Sequence, residues 1–286
     1  MGQGLYKNLA FLPPRPSTYE RSEVEMLEYK GEEIPYYVAR PRQERPQGYV
    51  ILYSHGNAED LGQLLPSLRE MADRWNCTMV GYDYGGYGLA SGHVSESRCY
   101  SDIEAIYEKV VLETLQKSPQ QVILFGRSLG SGPTSELAYQ LSRKNVPFAG
   151  FILQSPIESV IRVISKSVSY MAVDMFQNFK KVPYITAPTL IVHGTHDEVV
   201  PFTNGQTLAE SSPNLLRFCS VSNAGHNDIE FGHSHIFYSA VSDFLDALPS
   251  SSHSQPPASF FGSFLSSSSS SSASPSSPPS SSSSSS

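Results

Sequence analysis

Gly126-Arg127-Ser128-Leu129-Gly130 places a hydroxyl between two glycines, directly after the apolar run Val122-Ile123-Leu124-Phe125. An apolar strand that runs into G-x-S-x-G and on into a helix makes a strained turn, which lifts the serine hydroxyl clear of the backbone. The segment Glu136-Leu137-Ala138-Tyr139-Gln140-Leu141 reads as that helix, beginning near Leu129. Its first turn offers free N–H groups and a partial positive charge, both suited to an oxyanion formed in acyl transfer. Pro133 is compatible, because the first helical turn needs no N–H from it. The competing reading is a glycine-rich turn with an idle serine.

A serine hydroxyl needs a base, and the chain has eight histidines. His226 follows an apolar run in the loop Ser222-Asn223-Ala224-Gly225, ahead of a helical pattern that would anchor it. His55, His93 and His253 fit the chain order nucleophile, acid, base poorly, His193 ends a strand, and His233 and His235 begin the last helix. The acid is expected before His226, at the end of the preceding strand. Leu190-Ile191-Val192-His193-Gly194-Thr195-His196-Asp197-Glu198 supplies Asp197, the first carboxylate after that strand, ahead of Glu198. An acid there holds the imidazole in one tautomer and stabilises the imidazolium. Asp also favours turns, so a turn-capping aspartate is the bland alternative.

An oxyanion site needs a second N–H besides that of Leu129. Tyr49-Val50-Ile51-Leu52-Tyr53-Ser54 leads into His55-Gly56-Asn57-Ala58, where a backbone N–H is expected from Asn57 first and Ala58 second. The glycines of Tyr82-Asp83-Tyr84-Gly85-Gly86-Tyr87-Gly88 do not follow a phosphate-binding pattern. His233-x-His235 lacks a further ligand nearby in sequence, so no metal and no cofactor is expected.

Several elements must position these groups. Strand-like runs recur at Val24–Leu27, Ile34–Val38, Tyr49–Ser54, Thr78–Tyr82, Val122–Gly126, Phe148–Gln154, Thr189–His193 and Leu216–Val221. The later runs are nearly continuous in apolar residues, as strands covered on both faces are. Between them lie helical spacings, among them Leu61, Leu64, Leu65, Leu68, Met71, Ala72 and Trp75, and at the end Phe237, Val241, Phe244, Leu245 and Leu248. Alternating strands and helices predict an α/β fold, with a mostly parallel central sheet of about eight strands and helices on both faces. Residues 155–188 are long for a connection, and a lid is expected there. Its Val168, Met171, Phe176 and Phe179 either line a groove or pack the segment onto the sheet.

Composition narrows the function classes. The net charge is -7, and a nucleic-acid partner would call for a clustered basic face. Cys77, Cys99 and Cys219 are odd in number and too far apart for metal-ligand spacing; no disulfide framework is readable, which fits a reducing compartment, and a cytoplasmic location is expected. No run approaches the ~20 apolar residues of a membrane helix, and Leu9–Leu12 is shorter than a signal-peptide core. Residues 1–249 are expected to form one domain. Residues 250–286 hold 23 serines in 37 residues and no charged side chain, and are expected to be a disordered tail. Phe260–Leu265 is an apolar island within it. The oligomeric state stays open.

Taken together, Leu9-Ala10-Phe11-Leu12-Pro13-Pro14-Arg15-Pro16, His55-Gly56-Asn57-Ala58, Tyr82-Asp83-Tyr84, Gly126–Gly130, His193–Val199 and Ala224–Glu230 resemble the α/β-hydrolase domain-containing protein 17 group over about residues 9–248. The resemblance implies the α/β-hydrolase fold and Ser128, Asp197 and His226 as catalytic positions. It also implies a palmitoyl-protein thioesterase, with S-acylated proteins as partners and peripheral contact with the cytosolic face of membranes. That group carries an acylated cysteine cluster near its N-terminus, whereas the first cysteine here is Cys77. A general carboxylesterase or lipase, a serine peptidase and a catalytically silent binding module are the competing functions.

Overall fold

The computed structural model describes residues 11–164 and 174–249. Its strands are β1 (Glu25–Tyr29), β2 (Glu32–Ala39), β3 (Val50–Ser54), β4 (Thr78–Tyr82), β5 (Val122–Arg127), β6 (Gly150–Gln154), β7 (Thr189–Gly194) and β8 (Leu215–Val221). They form one eight-stranded sheet in the order β1-β2-β4-β3-β5-β6-β7-β8. The pairs β1–β2 and β2–β4 are antiparallel and all others parallel. Each expected strand is present, shifted by at most two residues at its ends.

The parallel strands are buried on both faces, and the alternation of side chains assigns each residue to one of two cores. Val50, Leu52, Leu124, Phe151 and Ile191 join Ile103, Ile106, Leu137 and Phe176 on one side. Ile51, Tyr53, Ile123, Phe125, Ile152 and Leu190 join Leu61, Leu68, Trp75, Phe237 and Val241 on the other. Helices α1 (Leu61–Trp75) and α6 (Ser234–Ala247) cover this second face. On the first lie α2 (Glu96–Ala105), which continues as a π-helix over Ile106–Thr114, and α3 (Ser131–Arg143). The remaining described α-helices are α4 (Val160–Ile164) and α5 (Phe202–Ser211).

Phe125 is fully buried and meets the rings of Tyr53, Trp75 and Phe237. Phe125→Ala is therefore expected to lower unfolding free energy by roughly 3–5 kcal/mol, from lost transfer energy and the cavity left behind. Denaturant melts of the two forms measure it. A loss under about 1 kcal/mol would mean that this aromatic cluster is not packed as described.

The sequence does not predict α5. Its inward face carries Asn204 and Gly205 beside Leu208 and Ala209, so the apolar period is broken. Asn204 is buried because its Oδ1 accepts from the N–H of Glu158. The expected lid is described only in part: α4, then short 3₁₀ turns at Asn178–Lys180 and Val182–Tyr184. Phe176 does not line a groove. It is fully buried against Gly132 of α3 and the rings of Phe11 and Tyr100, so packing decides its position. Phe179 is half-buried beneath the Arg162 guanidinium. Val168, Met171, Phe260–Leu265 and the expected tail lie outside the described residues.

Candidate active site

β5 ends at Arg127, and Ser128 follows with φ +51°, in the left-handed region that costs a non-glycine residue about 1 kcal/mol or more. The turn exists because the backbone on either side is unusually close. A Cβ on Gly130 would lie 2.1 Å from the Ser54 carbonyl oxygen and 2.6 Å from that of His55. A Cβ on Gly126 would lie 2.6 Å from the Gly130 carbonyl oxygen. Ser131 Oγ donates to the Ser128 carbonyl at 2.6 Å and accepts from Ile157 N and Asn178 Nδ2. That hydroxyl pins the turn to both ends of the 155–188 connection.

Ser128 Oγ lies 2.9 Å from His226 Nε2, and His226 Nδ1 lies 2.7 Å from Asp197 Oδ2. The carboxylate selects the tautomer with the proton on Nδ1, so Nε2 accepts from the serine hydroxyl. All three residues are nearly buried, at 7%, 6% and 9% exposure. The sequence thus named three residues that the fold brings into one hydrogen-bonded line across 98 residues of chain.

Asp197 is held from several sides. Its Oδ1 accepts from Val199 N at 3.0 Å and Val200 N at 2.7 Å. Burial pushes its carboxyl up, but hydrogen bonds from His193 and His226, the nearby His226 charge and the Val200 N–H outweigh it. The carboxyl is held well below the usual carboxylate range. His193 Nε2 is 3.1 Å from Asp197 Oδ2 and 3.0 Å from the Val200 carbonyl oxygen. In the sequence His193 reads only as a strand end. Its spacing of four residues from Asp197, after three apolar residues, was the available signal.

Glu198, the rival acid, binds backbone instead: His226 N donates to its Oε2 at 3.3 Å. The acid and histidine loops are tied further by His196 N to the Ala224 carbonyl and Asn223 N to Thr195 Oγ1. His233 occupies the N-cap position of α6 without a side-chain capping bond, and His235 sits in its first turn.

Asn57 is half-exposed, and its Oδ1 accepts from Tyr87 OH at 2.6 Å, Leu12 N at 2.9 Å and Ala58 N at 3.1 Å. Its side chain therefore fixes the loop. Leu129 lies in the 3₁₀ turn Ser128–Gly130, whose Gly130 packs on the Ser54 and His55 carbonyls just ahead of Asn57. The two segments that carry the expected oxyanion donors are thus in direct contact.

A second buried cluster steadies the same loop. His55 Nδ1 donates to the Gly56 carbonyl, His55 Nε2 sits 3.3 Å from Asp83 Oδ1, and Tyr19 OH donates to Asp83 Oδ2. Asp83 also accepts from Leu61 N, at the start of α1. Burial opposes charge on His55, but the Asp83 hydrogen bond and charge outweigh it, so the imidazole is raised above its ordinary value.

Residues 44–181 match the family model described as serine aminopeptidase, S33. The chain is 39% identical over 183 residues to α/β-hydrolase domain-containing protein 17C of Mus musculus, covering 64% of this chain and 55% of that one. It is 33% identical over 250 residues to α/β-hydrolase domain-containing protein aho-3 of Caenorhabditis elegans, covering 79% of this chain and 74% of that one. It thus spans little more than half of the 17C relative, at 55% of its length.

Among solved structures it resembles Est1E from Butyrivibrio proteoclasticus with ferulic acid bound, with a TM-score of 0.62 at 15% identity over 77% of this chain and 97% of that one. Mouse α/β-hydrolase domain-containing protein 10 gives a TM-score of 0.60 at 17% identity over 78% and 98%. Sheet order, strand–turn–helix and relatives define an α/β hydrolase of the serine-hydrolase type. More narrowly, the chain belongs to the family of α/β-hydrolase domain-containing proteins that 17C and aho-3 represent.

Proposed function

We propose that this chain is a thioesterase that removes palmitate from S-acylated cysteines of proteins. The observation that carries the hydrolase reading is the hydrogen-bonded line Ser128–His226–Asp197, at 2.9 and 2.7 Å. In this reading Ser128 Oγ attacks the thioester carbonyl while His226 Nε2 takes its proton. Asp197 orients the imidazole and stabilises the imidazolium. The N–H groups of Leu129 and Asn57 receive the oxyanion. The C–S bond breaks, His226 returns the proton to the departing sulfur, and an acyl-serine remains. Water activated by His226 then attacks that ester, releasing the fatty acid and restoring Ser128.

A long acyl substrate is supported by the resemblance to the 17 group and by the surface near the site. Leu12, bound to Asn57, is 52% exposed; Val199, beside Asp197, is 48% exposed; Phe231, in the loop after His226, is 73% exposed. Apolar side chains in these three segments suit a lipid chain or the membrane surface that presents it. No described helix is long and apolar enough to cross a membrane.

Measuring kcat/KM against acyl length on one thiol leaving group, with matched oxyesters, tests the reading. Each methylene that gains burial is worth about 0.8 kcal/mol, or up to about fourfold in kcat/KM. We expect octanoyl and palmitoyl thioesters to exceed acetyl by more than tenfold. A preference for acetyl or butyryl oxyesters would make the protein a short-ester carboxylesterase instead.

A further inference from the structure

Arg127 is the residue before the nucleophile, yet its side chain takes no part in the line Ser128–His226–Asp197. Its guanidinium is only 11% exposed and reaches two loops that lie far away in sequence. Nη1 donates to Glu59 Oε1 at 2.8 Å, and the same oxygen accepts from Gly56 N at 2.5 Å. Nη2 donates to Asn227 Oδ1 at 2.9 Å, one residue after His226. Nε stands 3.6 Å from Glu230 Oε1, on a carboxylate that is 14% exposed. The space around this pair is full: a Cβ on Gly56 would lie 2.7 Å from Arg127 Nη1 and 2.6 Å from Glu59 Oε1.

We propose that Arg127 is a positioning residue that clamps the Gly56–Glu59 loop and the His226–Glu230 loop to the nucleophile turn. The proposal rests on the hydrolase reading above. One planar, fixed fork spans both loops, so it sets the spacing between the Asn57 amide and the His226 ring on either side of Ser128. Those groups act on one reacting centre, and a displacement of about 1 Å there costs on the order of 100-fold in rate. Lys could reach Glu59 but could not hold Asn227 at the same time. An ion pair kept only for stability would show its effect in unfolding; a clamp shows it in turnover by folded enzyme.

The test uses the full chain as wild type, Arg127→Met, Arg127→Lys, Glu59→Gln and Asn227→Ala. A fluorophosphonate probe titrates active sites and gives an acylation rate, and kcat and KM are read per titrated site on an octanoyl thioester. We expect Arg127→Met to lower acylation rate and kcat by roughly 10- to 100-fold, with KM changed less than about threefold. Arg127→Lys should recover part of the loss through Glu59. Glu59→Gln and Asn227→Ala should each lower kcat by several-fold, and Glu59→Gln should add little to Arg127→Met. If Arg127→Met does not fold, the isosteric Glu59→Gln and the exposed Asn227→Ala decide. The clamp is refuted if the folded variants keep kcat per titrated site within twofold of wild type. Wild type that labels at Ser128 while the variants label at its rate refutes the clamp alone. Wild type without labelling at Ser128 refutes the hydrolase reading beneath it.

Discussion

Ser128→Ala should abolish turnover while leaving the fold in place. Ser128 Oγ is the only atom of that side chain in the line to His226, and alanine adds no bulk to the turn. The turn itself is held by Gly126, Gly130 and Ser131 Oγ, none of which the substitution touches. Removing φ > 0 strain is not at stake, since alanine bears it much as serine does. Loss of a triad nucleophile typically lowers kcat by on the order of 10⁴–10⁶. Steady-state kinetics beside a thermal melt reads both effects. A variant with more than a tenth of wild-type kcat would remove Ser128 from the mechanism.

Asp197→Asn should act almost as strongly on kcat, by on the order of 10⁴, with small effect on KM. The amide can still accept from Val199 N and Val200 N through its oxygen. Its NH₂ then faces His226 and His193, where a carboxylate accepted from both, so the proton no longer favours His226 Nδ1. The same substitution alters acid stability. The carboxyl is depressed in the folded state, so its contribution is present above the unfolded value of about 3.9 and is lost as pH falls below it. Wild type should therefore lose stability on acidification more steeply than Asp197→Asn. Denaturant midpoints from pH 6 down to pH 2 measure this. Equal slopes would mean that Asp197 is not held ionised by its partners.

Where an element announced itself by local pattern, the sequence was readable. β3 to β7 appear as apolar runs because both faces are covered, and every residue of β3, β4, β6 and β7 is buried. The edge strand β8 breaks that rule: Leu216 is 47% exposed and Arg217 faces solvent, since one side has no neighbouring strand. α5 stayed hidden because its buried face is partly polar, with Asn204 satisfied inside by the Glu158 N–H and the Pro201 carbonyl. Ser128, Asp197 and His226 were legible because each follows its strand with a glycine-marked turn. Arg127 was not, because its partners Glu59 and Asn227 lie 68 and 100 residues away and no local spacing records them. Phe176 looked like a candidate for a groove by type alone; only the contact with Gly132 and two aromatic rings shows it to be core.

If the proposed thioester hydrolysis is right, Ser128 carries the acyl group during turnover. The most direct test is to quench the reaction with a palmitoyl thioester in acid within milliseconds and weigh the intact protein. A transient mass increase of one palmitoyl group, mapped by peptide fragmentation to Ser128, is the expected result. The adduct should be absent from Ser128→Ala and accumulate in a variant whose deacylation is slowed. Wild-type turnover with no adduct at Ser128, or with the acyl group on another residue, would contradict this role of Ser128.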